Sequence, residues 1–153
     1  MANYWLFKSE PDEYGIDDLR REKAGVGRWN GIRNYQARNF LRDEVAVGDG
    51  VLIYHSQCKV PGVAGTARVV KAAYPDPAQF DPKSDYFDPK ASGEAPRWFC
   101  VDIQFESAFD EVVPLKVIKQ QEPLNEMVLL KQGRLSIQPV TAKEWKYILK
   151  MAS

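Results

Sequence analysis

The stretch from Arg97 to Phe105 restricts the fold of this chain most, because apolar residues alternate along it with strict regularity. Successive side chains of a β-strand point to opposite faces, so the alternation predicts a strand with one apolar face. That face carries Phe99, Val101, Ile103 and Phe105. The opposite face carries Trp98, Cys100, Asp102 and Gln104. Such a strand has to pair with others and be covered on its apolar side, so the chain must build a sheet with a core.

Other segments predict the rest of that sheet. Alternation and flanking turn residues predict further strands over residues 3–9, 50–55, 62–70, 112–118 and 135–139. Helical spacing and end signals predict helices over residues 17–23, from Arg33 onward, over 123–131, and after Thr141. About six strands and four helices in 153 residues predict a single α+β domain over residues 1–153.

The terminal helix has the most complete start signal in the chain. Thr141 suits the N-cap position and Glu144 follows three residues later, which is the pattern of a capping box. Val140 and Trp145 are spaced as a hydrophobic staple. Trp145 is therefore predicted to be structural.

The segment from Trp29 to Arg42 has the composition of a binding surface. Within its helix, Asn34, Arg38 and Arg42 recur every four residues along one face. Guanidinium groups suit phosphate oxygens and base edges, and the aromatic rings of Trp29 and Tyr35 beside them suit unpaired bases. The alternative is an ordinary solvated face of a helix.

The charge of the chain is zero overall but unevenly placed. Residues 20–42 hold seven basic side chains against one acidic, and residues 76–111 hold nine acidic against three basic. Zero net charge argues against coating a polyanion by bulk attraction, although one face can still attract anions. The alternative is that the two segments neutralise each other in the fold.

The cysteine content and the N-terminal sequence bear on the cellular compartment. Cys58 and Cys100 lie far apart without a CxxC spacing, which favours reduced thiols without excluding a disulfide. No leader-like or membrane-spanning apolar stretch is present in the sequence. We therefore expect a cytoplasmic monomer, or a nuclear one if the source is eukaryotic, with no membrane association.

The residues give little support for catalysis. The single histidine leaves no recognised zinc spacing, and neither a metal nor another cofactor is expected. His55 and Ser56 are neighbours on a strand and point to opposite faces, so they do not form a catalytic pair. The glycines at Gly25 and Gly27 lack the lysine and third glycine of phosphate-binding loops. The long segment over residues 74–96, rich in proline and aromatic residues, predicts an ordered loop that covers a pocket.

Several motifs together resemble the EVE domain family. They are Tyr4–Pro11 (YWLFKSEP), Trp29–Asn39 (WNGIRNYQARN), Tyr54–Ser56 (YHS), Gly62–Gly65 (GVAG) and Arg134–Val140 (RLSIQPV). The resemblance spans essentially the whole chain and implies a PUA-like fold, a small bent β-barrel of about six strands flanked by short helices. It also implies binding of nucleic acid that carries a modified base, with modified cytosine in DNA as the expected target.

The resemblance places the site at the corner formed by Lys8, Ser9, Trp29 and Asn30. In the predicted mechanism an extruded or unpaired base stacks on Trp29, with Trp98 or a loop aromatic on its other face. Asn30 and Ser9 contact the base edge. The phosphates would be met by Arg33, Arg38, His55 and Lys8. Asn34, Tyr35 and Ser56 complete the predicted site.

Three alternatives stay open from the sequence. The domain could recognise a modified base in RNA rather than in DNA. It could be a ribonuclease or other hydrolase on the same scaffold, as in the related ASCH family, using Lys8, His55 and an aspartate. It could also be a sensor of a small molecule.

Overall fold

The computed structural model describes residues 3–153, which build one mixed sheet of six strands with short helices on both faces. The strands are β1 (Tyr4–Ser9), β2 (Val26–Trp29), β3 (Gly50–His55), β4 (Gly62–Pro75), β5 (Phe99–Pro114) and β6 (Ile137–Val140). Their order across the sheet is β2-β5-β4-β3-β1-β6. Only the β1–β3 pair is parallel among these strands.

The sheet is strongly curled. Phe7 on β1 and Trp29 on β2 lie four strand positions apart, which would separate them by about 19 Å in a flat sheet. Their ring centroids are nevertheless 5.6 Å apart. The sheet therefore bends round until its concave face closes on itself, although β2 and β6 share no hydrogen-bonded pairing in the described chain. The predicted α+β, PUA-like fold with about six strands is confirmed, with an open rather than a closed barrel.

Small residues in β4 permit this curvature. A Cβ atom at Gly62 would lie 2.1 Å from the carbonyl oxygen of Val113, and one at Gly65 would lie 2.2 Å from that of Ser107. The β4–β5 register shifts between Val63 and Gly65, which bends the pair. The two long strands thus need glycine at these positions because their backbones approach too closely for a side chain.

The helices divide between the two faces. They are α1 (Pro11–Tyr14), α2 (Ile16–Arg21), α3 (Tyr35–Asp43), α4 (Leu115–Ile118), α5 (Val128–Lys131) and α6 (Ala142–Ala152). The concave core includes Trp5 and Phe7 together with residues of α2 and α3. The convex core includes Leu6 together with residues of α6. The alternation predicted for β1 is therefore confirmed.

Several predicted boundaries were wrong. Residues 112–118 do not form a separate strand, because β5 continues to Pro114 and α4 follows directly. Residues 123–131 form a 3₁₀ turn (Glu122–Leu124) and the short α5 instead of one helix. Strand β2 was not predicted. The capping box of α6 is confirmed, since the Thr141 amide donates to Glu144 Oε1 at 2.9 Å and the Glu144 amide donates to Thr141 Oγ1 at 3.1 Å.

Helix α3 begins two residues later than predicted. Asn34 is its N-cap, and the Asn34 side-chain oxygen accepts a hydrogen bond from the Ala37 amide at 2.9 Å. Arg33 thus lies before the helix rather than on its first turn. Ala37 and Leu41 of this helix are buried in the core.

Two simpler expectations concern the thiols and the membrane. Cys58 and Cys100 are both free, with Cys100 buried and Cys58 half-buried. Within residues 3–153 no helix is long and apolar enough to cross a bilayer.

Candidate functional site

A cleft of about 550 Å³ opens between the end of β1, helix α1 and the segment that follows β2. This volume lies within the range of small-molecule sites, about 300–1,000 Å³. Five of the residues that line this cleft were predicted from the sequence as site residues, and they are Lys8, Ser9, Trp29, Asn30 and Arg33. Five residues that come from two separate motifs of the sequence therefore meet at one cleft.

Trp29 forms a wall of this cleft, but most of its surface belongs to the core. Its side chain is 5% exposed and packs between Phe7 and Tyr14, with ring centroids 5.6 Å and 5.9 Å away. The position follows from β2, which pairs Trp29 with Val101 and turns the indole inward. Trp29 therefore fixes the shape of the cleft and presents little open ring face in this conformation.

Ser9 brings a hydroxyl group without a partner to the cleft. Ser9 Oγ is buried and lacks a hydrogen-bond partner among residues 3–153. Its carbonyl oxygen accepts the Ser56 amide at 2.8 Å, so the Ser9 backbone is fixed while its hydroxyl is not. A buried hydroxyl without a partner is unfavourable in the free protein. A rotation about χ1 would let this group meet a polar atom of a ligand.

Lys8 lies at the mouth of the cleft and is already bonded. Its ammonium group donates to the carbonyl oxygen of Gly133 and lies 5.2 Å from the ring centroid of Tyr54. Burial lowers the pKa of Lys8. Burial also raises the pKa of Tyr54 to about 12, so this ring stays a neutral partner.

Arg33 is held by the protein rather than free for a ligand. Its Nη1 lies 3.1 Å from Asp76 Oδ2, and its Nε and Nη2 donate to the Tyr86 carbonyl oxygen at 3.2 Å and 2.8 Å. Asp76 is wholly buried and also accepts the Gly31 amide at 2.8 Å. Arg33 therefore joins the cleft to the long loop after β4. This ion pair also shows that the basic and acidic segments partly neutralise each other.

Tyr35, Arg38 and Trp98 form a separate ladder outside the cleft lining. The Tyr35 and Trp98 rings stack with centroids 5.0 Å apart, and the Arg38 guanidinium lies 4.8 Å above Tyr35. Arg38 Nη1 donates to the Arg97 carbonyl oxygen at 3.1 Å. Trp98 Nε1 donates to Asp88 Oδ2 at 2.7 Å, which lowers the pKa of Asp88. The structure therefore does not bring these three predicted residues into the cleft.

His55 and Ser56 also lie outside the cleft lining. His55 Nε2 accepts the backbone N–H of Ile16 at 3.0 Å at the start of α2. This bond requires a neutral imidazole, and burial lowers the pKa of His55. Ser56 borders a neighbouring hollow that shares Lys8 with the cleft. Asn34 borders another hollow.

Seven further residues that line the cleft were not predicted as site residues, and they are Glu13, Tyr14, Arg28, Gly31, Ile32, Tyr86 and Ser136. Tyr14 lies in α1, where burial and the nearby Glu22 carboxylate raise the pKa of its phenol. Tyr86 lies on the proline-rich loop, is 38% exposed, and its ring lies 5.3 Å from the Arg33 guanidinium. The available signal was the aromatic content of residues 74–96, which predicted a covering loop without choosing its contact residue.

A curled six-stranded sheet flanked by short helices, with a cleft of aromatic and polar residues at the end of β1, is the architecture of a PUA-like domain. The sequence matches the EVE domain family over residues 3–151, and the chain belongs to this family.

Known relatives resemble the chain over nearly its whole length. Zebrafish (Danio rerio) thymocyte nuclear protein 1 is 42% identical, over 96% of this chain and 71% of the relative. Among solved structures, a hypothetical protein from Leishmania major has a TM-score of 0.95 at 49% identity, covering 99% of this chain and 95% of that one. The human THYN1 protein, solved in complex with 5-methylcytosine-containing DNA, has a TM-score of 0.95 at 38% identity, covering 99% of this chain and 98% of that one.

Proposed function

We propose that this EVE domain binds DNA that carries a modified cytosine and holds the extruded base in the cleft between Ser9, Trp29 and Tyr86. The observation that carries the proposal is the match in fold, at a TM-score of 0.95, to a human protein solved with 5-methylcytosine-containing DNA. The cleft supports it independently, since aromatic walls and a few polar groups suit a flat heterocycle.

Each cleft residue has a role in this proposal. Tyr86 offers an exposed ring on which the base stacks, and Trp29 forms part of the cleft wall and fixes its shape. Ser9 and Asn30 contact the base edge, because a hydroxyl and an amide together supply donors and acceptors. Lys8 lies at the entrance and places its positive charge near the sugar–phosphate backbone.

The magnitude of selectivity follows from what a methyl group can contribute. Burying one methyl group gains about 0.8 kcal/mol, which corresponds to about a fourfold difference in affinity. Stacking contributes about 1–3 kcal/mol for any base, modified or not. The preference for a methylated base is therefore expected to be modest and to increase only where polar contacts also distinguish the modification.

The proposal is for a non-catalytic monomer that needs no cofactor and works in the cytoplasm, or in the nucleus of a eukaryote. A hydrolase that uses His55 as a base finds less support, because the Nε2 lone pair of His55 already accepts the Ile16 amide. Incubation of labelled RNA with wild type and with His55→Ala tests that alternative, since cleavage that depends on His55 would restore it.

The main test measures binding of short oligonucleotides by fluorescence anisotropy. Single-stranded and duplex DNA with one central cytosine, 5-methylcytosine or 5-hydroxymethylcytosine are titrated with wild type, and RNA of the same sequence is included. We expect the modified DNA to bind most tightly. Equal affinity for all probes would refute the proposal, and tighter binding of modified RNA would transfer it to RNA.

The stacking role of Tyr86 has a matched control in the same loop. Tyr86→Ala is expected to weaken binding about tenfold through lost stacking. Phe87→Ala removes a neighbouring ring of similar exposure, 39% against 38%, that does not line the cleft. These exposed positions are preferable to Trp29→Ala, which would also open the core. Equal losses in both variants would exclude a specific role for Tyr86.

A further inference from the structure

A second hollow lies directly beside the cleft, and we call it the side hollow. It has a volume of about 330 Å³ and is lined by Asn34, Gln36, Gln132, Gly133, Arg134 and Leu135. Both of its chain segments continue into the cleft, because Arg33 precedes Asn34 and Ser136 follows Leu135. Residues adjacent in sequence have Cα atoms about 3.8 Å apart, so the linings of the two hollows are contiguous along both segments.

The loop over residues 132–136 is firmly held in place between the two hollows. Gln138 is wholly buried, and its Nε2 donates to the carbonyl oxygens of Leu135 at 2.8 Å and Gln132 at 3.1 Å. The Lys8 amide donates to the Ser136 carbonyl oxygen at 2.9 Å, and the Lys8 ammonium group donates to Gly133. A loop fixed from both sides loses little conformational entropy when a ligand binds to it.

The side chains of the side hollow suit a sugar–phosphate group. Four of its six lining residues carry an amide or a guanidinium group and none carries a carboxylate. The Arg134 side chain is exposed, and among residues 3–153 it makes no hydrogen bond or ion pair. Arg33 and Arg38, in contrast, already bond to Asp76 and to the Arg97 carbonyl oxygen. Arg134 therefore has its full set of donors available for phosphate oxygens.

We propose that the side hollow binds the phosphodiester and sugar next to the extruded base, with Arg134 as a phosphate contact. This inference rests on the proposed function of the cleft. It assigns the contact with the sugar–phosphate backbone to the loop before β6, whereas Arg33 and Arg38 bond to groups of the protein itself. Asn34 and Gln36 border the same hollow and contact the sugar or a phosphate oxygen.

The test compares the salt dependence of binding in Arg134 variants. The probe is short single-stranded DNA with one central 5-methylcytosine, titrated at several salt concentrations beside the same strand with plain cytosine. Arg134→Ala is expected to weaken both probes by the same factor, about fivefold to tenfold, and to reduce the salt slope by about one. Arg134→Lys is expected to keep the slope, because it retains the charge.

Arg21→Ala serves as the matched control, because it removes the same charge from an exposed arginine that is bonded to Asp18. It is expected to leave affinity and slope nearly unchanged. Equal effects of Arg134→Ala and Arg21→Ala would overturn the inference. A change in preference between methylated and plain DNA in Arg134→Ala would also overturn it, since a phosphate contact does not distinguish bases.

The free nucleoside 5-methyl-2′-deoxycytidine separates this inference from the proposed function. It lacks the phosphodiester, so calorimetric titration should give the same affinity for wild type and Arg134→Ala. Weaker nucleoside binding in Arg134→Ala would place Arg134 at the base and refute its assigned role. Failure of the proposed function has a different signature, which is equal affinity of wild type for methylated and plain strands.

Discussion

Oδ2 of Asp76 lies 3.1 Å from Nη1 of Arg33, and the same oxygen accepts the Gly31 amide at 2.8 Å. The other oxygen accepts the Ala78 amide at 2.8 Å, so both carboxylate oxygens are used. One buried side chain thus connects the segment after β2, which lines the cleft, to the loop that carries Tyr86. The basic segment identified in the sequence is engaged at this point with the protein itself.

Removal of this carboxylate should destabilise the fold. Asp76→Ala removes the counter-charge of the Arg33 guanidinium, whose side chain is 21% exposed, and leaves the Gly31 amide without its acceptor. Breaking a buried ion pair costs about 3–5 kcal/mol, and the lower end is expected because Arg33 keeps some access to water. Urea unfolding measures the free energy of unfolding. Asp81→Ala, an exposed position whose side chain accepts the Lys83 amide, is the control and should cost about 1 kcal/mol at most.

The single histidine gives a pH dependence whose sign follows from the burial of its imidazole, which lowers the pKa of His55. The pKa of His55 is lower in the folded protein than in the unfolded chain, where it has its ordinary value of about 6.5. At pH values between these two pKa values the unfolded chain therefore binds more protons than the folded protein does. The stabilisation is complete above pH 6.5 and declines as the pH falls below it. Unfolding curves of wild type between pH 7.5 and 5.5 should therefore show falling stability.

His55→Ala removes the imidazole that titrates and, with it, the Nε2 atom that accepts the Ile16 amide. Its free energy of unfolding at pH 7.5 should be about 1 kcal/mol lower than that of wild type. Its stability should also vary less with pH in this window, where histidine is the side chain that ordinarily titrates. A variant as pH-dependent as wild type would show that other groups control the effect.

Much of the fold could be predicted because its signals are local. Alternation over residues 97–105 and the capping box at Thr141 depend on neighbours within a few residues. The structure has the capping box and a strand that begins at Phe99, although Trp98 and Cys100, predicted on the face opposite the apolar one, are also buried. Strand β2 could not be found this way. Its four residues include Gly27 and Arg28, and they become a strand because they pair with β5, more than 70 residues later in the chain.

The candidate site shows the same division. Lys8, Ser9, Trp29, Asn30 and Arg33 were selected from two local motifs, and all five line one cleft. The role of Arg33 was not visible, because its partners Asp76 and Tyr86 lie 43 and 53 residues away in the sequence. A periodic row of arginines gives the spacing of side chains along a helix, but only the tertiary fold decides which acceptors they meet.

Gly31 offers a test of how the Tyr86 ring is placed. Its φ of +81° is unfavourable for other residues, and an added Cβ would lie 2.9 Å from the Tyr86 ring. Gly31→Ala should cost about 1–2 kcal/mol of stability and weaken binding of methylated DNA by displacing the ring.

Gly48 is a matched control for this substitution. Its φ is +96°, but an added Cβ would meet nothing within 4 Å. Gly48→Ala should therefore cost similar stability and leave the affinity for methylated DNA unchanged. If the two variants bind equally well, the position of Tyr86 is not set by Gly31.

Ser9 allows a prediction in which stability and binding change in opposite directions. Since Ser9 Oγ is buried without a partner among residues 3–153, Ser9→Ala should raise the free energy of unfolding by about 1 kcal/mol. If the hydroxyl contacts the base edge, the same variant should bind methylated DNA about fivefold more weakly, the equivalent of one hydrogen bond. Urea unfolding and anisotropy titration on the same preparation give both quantities.

Ser107→Ala makes the same chemical change at a hydroxyl that has a partner. Ser107 Oγ lies 2.8 Å from Oγ1 of the buried Thr66, so the variant leaves that group unpaired and should lower stability without affecting binding. The Ser9 hydroxyl, by contrast, lacks a partner among residues 3–153, which is explained if a ligand supplies that partner. Unchanged binding in Ser9→Ala would instead assign the cost of this group to the fold alone and remove Ser9 from the site.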